Sequence, residues 1–146
     1  RGIFASLSAE ENLLLPPTLK AGGMDVEQIY AMFPNLKERA ASQGSRLSGG
    51  EQQMLAVARI LRTGATLLLL DEISEGLAPV IVEKLADTVA ALRARGYTVV
   101  MVEQNFHFAS ALADRFVIVE HGRVVQEFTQ EQLPERAARL HEYLGV

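Results

Sequence analysis

Thr66-Leu67-Leu68-Leu69-Leu70-Asp71-Glu72 is an aliphatic run that ends in two acids. Apolar residues without polar alternation are the pattern of a strand covered on both faces in a parallel sheet. Further along, Tyr97 to Val102 repeats the pattern and ends in Glu103-Gln104-Asn105. Between the two runs, Ile81, Leu85, Val89 and Leu92 recur at the spacing of one helix face, with Pro79 suited to the first turn and Gly96 to a left-handed close. Strand, helix and strand in this order predict a parallel unit with a right-handed crossover. The fold class is α/β.

Upstream the pattern is helical. Ser8 and Glu11 have capping-box spacing ahead of a short helix that Pro16-Pro17 ends. Gly22-Gly23 reads as a flexible link, and Asp25 as the cap of a helix carrying Val26, Ile29, Tyr30 and Phe33 on one face until Pro34. A helix is expected from Ser48 to about Arg62, broken at Thr63-Gly64. Downstream of the second strand come a helix over 106–113, a strand over 115–120, a two-residue His121-Gly122 hairpin turn into 123–127, and a closing helix over 133–144. Residues 1–46 are read as a helical subdomain, 47–127 as α/β core and 128–146 as a helical tail.

The chain has 146 residues, 49% hydrophobic and 22% charged, enough for one domain with a real core. A net charge of -4 argues against a phosphate-backbone binder, so no nucleic-acid partner is expected. Without cysteine there is neither a disulfide framework nor a thiolate metal site. No apolar run approaches the roughly 18 residues of a transmembrane helix. The chain opens on Arg1 rather than methionine, which reads as an N-terminal truncation.

Asp71 and Glu72 fall at the carboxyl end of a buried strand, where open parallel sheets bind ligands. An aspartate there can hold Mg²⁺ through its water shell, and the neighbouring glutamate can polarise an attacking water. The plainer alternative is two acids ending a strand at the solvent boundary. In Leu47-Ser48-Gly49-Gly50-Glu51-Gln52, Ser48 is an N-cap with Glu51 reaching back. That leaves two glycines in the first helical turn, each costing about 1 kcal/mol relative to alanine. Gly49 and Gly50 would let a phosphate oxygen approach the free amides at the positive end of the helix dipole. Close packing is the other explanation. Gln104 should face the same crevice as Glu72, able to hydrogen-bond but not to titrate. His107, His121 and His141 have no metal-ligand spacing and read as surface residues.

Taken in order, Leu-Ser-Gly-Gly-Glu-Gln, an aliphatic run into Asp-Glu, Ser-Glu-Gly-Leu and Val-Glu-Gln-Asn resemble the motif set of an ABC transporter ATP-binding subunit. The details at 52–55, 75–79 and 103–105 are most similar to the LivF-type ATPase of branched-chain amino acid importers, and Ser8-Ala9-Glu10-Glu11-Asn12-Leu13 matches that family's helical region. The resemblance implies a partial P-loop NTPase sheet with a helical subdomain, residues 47–127 being the C-terminal part of an ABC ATPase core.

The resemblance also implies a mechanism. Two such subunits pair head to tail, each ATP lying between the Walker A loop of one and the signature motif of the other. Ser48, Gly49, Gly50 and Glu51 would then be cofactor-binding, Asp71 the Mg²⁺ residue, Glu72 the general base, Gln104 the switch, and Ser74 to Leu77 the link between sites. Transmembrane permease subunits are the implied partners, at the cytoplasmic face of the inner membrane. Three departures stand out. No Gly-x-x-x-x-Gly-Lys-[Ser/Thr] occurs, nor the glutamine loop that precedes the helical region, so the chain is expected to be inactive alone. Ile73 replaces the usual proline after the catalytic glutamate, freeing the backbone there. Gln104 replaces the common switch histidine. A non-catalytic pairing module and a soluble ABC-type ATPase acting on DNA or ribosomes are the competing readings; the second lacks the expected coiled-coil arms or basic extensions. Exposed apolar sheet edges are expected to drive self-association.

Overall fold

The computed structural model describes residues 2–136. Its elements are α1 (Ala9–Leu14), α2 (Val26–Met32), α3 (Pro34–Glu38), α4 (Gly49–Leu61), β1 (Leu67–Asp71), α5 (Pro79–Ala94), β2 (Thr98–Val102), α6 (Phe106–Leu112), β3 (Arg115–Glu120) and β4 (Arg123–Thr129). β1 and β2 pair in parallel, Leu67 opposite Thr98 through Asp71 opposite Val102, with α5 as the connection. β3 and β4 form a separate antiparallel hairpin whose register shifts after Ile118.

Helix starts follow local chemistry. Ser8 with Glu11, Asp25 with Gln28 and Ser48 with Glu51 each make both bonds of a capping box. The Ser8 amide and hydroxyl hold the Glu11 carboxyl below its ordinary range. At the hairpin tip, His121 and Gly122 both adopt positive φ, 47° and 74°, as a two-residue turn with the twist of its strands requires. Asn12, fully buried, accepts from the Phe4 amide at 2.7 Å and donates to the carbonyls of Phe4, Leu7 and Ser8. It ties the segment before α1 to the helix.

One apolar cluster runs through the molecule, from Ala9 and Leu13 of α1 through Ile29, Phe33 and Leu36 to Leu55, Leu61, Leu68, Leu85, Leu92 and Phe108. The helical region of 1–46 therefore shares its core with α4, β1 and α5. Phe116 and Phe128 stack at 5.0 Å in a second, smaller cluster under the hairpin.

Two expectations need correction. The strands are not covered on both faces: Leu68 and Leu70 are buried, whereas Leu67 and Leu69 are 54% and 70% exposed, and Val100 and Val102 are exposed beside them. A continuous apolar run records what can be buried, while coverage depends on what packs there, and among the described residues only one face is covered. Nor is Gly22-Gly23 a loose link. The Met24 amide donates to the Leu61 carbonyl at 3.0 Å, and a Cβ on Gly23 would fall 2.2 Å from the Arg62 carbonyl oxygen. Residues 133–136 are helical; the rest of the expected closing helix, with His141, lies outside the described residues.

Candidate functional site

Asp71, the last residue of β1, is exposed at the carboxyl end of the parallel pair. The ladder continues one residue further, the Glu72 amide donating to the Val102 carbonyl at 2.8 Å. Glu72 itself has φ +46°, a left-handed conformation that costs a side-chain-bearing residue roughly 1–3 kcal/mol and persists only where neighbours hold it. Gln104, just past β2, supplies one such hold: its Nε2 donates to Glu72 Oε1 at 2.9 Å. The chain then turns twice, Glu75 amide to Glu72 carbonyl and Leu77 amide to Ser74 carbonyl, at 3.3 and 3.4 Å.

Glu103 was given no role by its sequence. Its Oε1 accepts from the Ser74 amide at 3.1 Å and its Oε2 from the Ser74 hydroxyl at 2.8 Å. The signal was present in principle. Alternation continued past β2 turns Glu103 to the covered face with Val99 and Met101, where an acid needs a donor, and Gln104 to the exposed face with Val102; Gln104 meets Glu72 through the left-handed turn that takes Glu72 out of the strand pattern.

At the start of α4, Ser48 is exposed, Gly49 half-buried and Gly50 buried. The Ser48 amide donates to Glu51 Oε2 at 2.7 Å, the Glu51 amide donates to Ser48 Oγ at 3.3 Å, and Arg39 lies 3.5 Å from Glu51. Because Ser48 Oγ accepts in this box, its own proton remains free to donate outward. Glu51 is thereby engaged within the chain. Gln52 steadies the approach to the cap, Nε2 donating to the carbonyls of Gly44 and Leu47 at 3.3 and 3.0 Å. At Gly50, a Cβ would meet Ile81 Cγ2 at 2.7 Å, so close packing accounts for that glycine.

The structure thus brings Asp71, Glu72 and Gln104 together on one rim and holds Ser48 to Glu51 as a second group. Among the described residues no hydrogen bond or ion pair joins the two groups, and no three His, Cys, Asp or Glu side chains cluster as a metal site. Mg²⁺ suits Asp71 nonetheless: that ion keeps most of its waters and takes one or two carboxylates together with phosphate oxygens, and an exposed strand-end carboxylate meets this need. His107 and His121 are exposed, and among the described residues no hydrogen bond or ion pair joins either side chain to these groups.

Comparison with known proteins adds an independent line. The ABC transporter family model matches residues 2–75. The chain is 40% identical to the high-affinity branched-chain amino acid transport ATP-binding protein BraG of Pseudomonas aeruginosa, over 99% of its own length and 64% of the relative's. It is 30% identical to the glutamine transport ATP-binding protein GlnQ of Escherichia coli, over 97% of the chain and 62% of that protein. The chain therefore spans somewhat less than two thirds of these curated relatives. Among solved structures it resembles the ATP-binding cassette MJ0796, determined as a dimer bound to ADP and Pi, with a TM-score of 0.72 and 26% identity over 88% of this chain and 59% of that one. Motif order, fold and these likenesses agree: the chain belongs to the ABC transporter family, as an α/β portion of its ATP-binding cassette.

Proposed function

We propose that the chain supplies the signature, Walker B and switch elements of an ATPase that powers import of branched-chain amino acids. The observation that carries this reading is Glu72 at the open end of the parallel pair, next to Asp71, its carboxylate held by Gln104 at 2.9 Å. An oriented carboxylate can accept a proton from water as that water attacks a phosphorus atom. Asp71 would hold Mg²⁺, whose charge offsets that of the phosphate oxygens. The free hydroxyl proton of Ser48 and the amides of Gly49 and Gly50 would face the γ-phosphate of an ATP bound by a second subunit, with Glu51 keeping Ser48 in place. Residues 74–77, leaving the same rim, would relay the state of one site to the other.

The likeness to BraG supports branched-chain amino acids as cargo, permease subunits as membrane partners, and a peripheral position on the cytoplasmic face of the membrane. No helix among the described residues is long and apolar enough to cross a bilayer. The phosphate-binding loop is absent from the sequence, so the chain alone should show no submillimolar Mg-ATP binding in isothermal titration. Fusing a segment that carries a phosphate-binding loop ahead of residues 1–146 should restore hydrolysis. In that fusion Glu72→Gln, which keeps the shape and the acceptor for Gln104, is expected to lower turnover by about 10²–10⁴-fold. Turnover indifferent to Glu72 would sink the ATPase reading and favour a module that keeps the fold for pairing.

A further inference from the structure

We propose that Glu103 is a positioning residue for Glu72, holding the loop that follows the acid by gripping Ser74. The proposal rests on the reading of Glu72 as the group that polarises water. Glu72 sits in a left-handed conformation that it would not keep unaided, and the two residues after it, Ile73 and Ser74, are 4% and 6% exposed. Ile73, unlike a proline, leaves its own φ free, so stiffness in the loop must come from contacts. Glu103 provides them in pairs, one carboxylate oxygen on the Ser74 amide and the other on its hydroxyl.

Bonds to an ionised acceptor are roughly twice as strong as neutral ones, and a two-point grip fixes orientation as well as distance. The tip of β2 therefore acts on the loop from both sides. Gln104 holds the Glu72 carboxylate, Val102 holds the Glu72 amide, and Glu103 holds the residue two places on. Removing the last of these lets the turn at Glu72 relax toward ordinary backbone angles, which swings its carboxylate away from Gln104. Serine at 74 is explained by the same geometry, since only a hydroxyl beside the amide can fill both oxygens of the fork. Glu103 touches no reacting atom. It acts through Glu72.

The test is a mutant cycle in the fusion described above, with ATP turnover as the readout. Glu103→Ala is expected to lower kcat by about 10–100-fold, the scale of a misplaced catalytic group. Glu103→Gln keeps the fork and one acceptor and should recover to within about threefold of the parent. The deciding arm is Glu72→Gln: in that background Glu103→Ala should leave the residual turnover unchanged, because a positioning residue has nothing left to position. Equal losses in both backgrounds would reveal a merely structural role and overturn the proposal, as would parental turnover in Glu103→Ala. Should the parent fusion lack Glu72-dependent hydrolysis, the ATPase reading fails and this inference falls with it; an active, Glu72-dependent fusion indifferent to Glu103 defeats the inference alone.

Discussion

Substituting Gly50 by alanine separates two explanations of the glycine at the start of α4. Alanine would gain up to about 1 kcal/mol of helix propensity. Against that, the new Cβ would lie 2.7 Å from Ile81 Cγ2, 3.2 Å from Cγ1 and 3.3 Å from Cδ1. The nearest of these is a branch methyl at Cβ of a residue on α5, not the far end of a flexible chain, so relief requires a rotamer change or a shift of one helix against the other. Such overpacking costs about 1–3 kcal/mol. The net expectation is a destabilisation of about 0–2 kcal/mol for Gly50→Ala. In an Ile81→Ala background the obstacle is gone, and the same substitution should stabilise by up to about 1 kcal/mol. The coupling between positions 50 and 81 is then about 1–3 kcal/mol, well above the roughly 0.5 kcal/mol scatter of independent sites. Urea unfolding of the four proteins at low concentration, followed by circular dichroism, measures it directly. Additive effects, or stabilisation in both backgrounds, would refute the packing account and return Gly50 to the phosphate-approach reading.

Asn12→Leu should destabilise the chain by about 1–3 kcal/mol, since it strands the Phe4 amide and takes a second donor from the carbonyls of Phe4, Leu7 and Ser8, each of which keeps one backbone partner; an unchanged urea midpoint would show that water replaces those bonds. The bare stripe of Leu67, Leu69, Val100 and Val102 is expected to make the chain self-associate, read by size-exclusion chromatography with light scattering, and Leu69→Lys should shift it toward monomer. A clean, stable monomer of the parent chain would contradict that expectation.

What was legible in the sequence was mostly local. Ser8 with Glu11 and Ser48 with Glu51 could be read as capping boxes because donor and acceptor lie three residues apart, and Asp25 as a cap for the same reason. The parallel pair and its intervening helix were legible because Pro79, Gly96 and the helical spacing bracket them. The rim site followed from two strand ends lying side by side: Gln104 does meet Glu72. The remainder depended on contacts between distant segments. Four leucines cannot announce that alternate members face solvent, and Gly50 cannot name Ile81 as the neighbour that forbids a side chain. Glu103 carries no mark of its partner, because its donor lies on a loop whose path no local pattern determines.

Among the described residues β1 and β2 pair with each other alone, so half of the backbone amides in each point away from the other. Segments with few paired amides open locally at small free-energy cost. The acids at the end of β1 therefore ride on a ladder that is open on its outer side, and what holds Glu72 and its loop comes from the tip of β2, through Val102, Glu103 and Gln104. A strand that paired with the open side of β1 or β2 would firm up those tips as it docked.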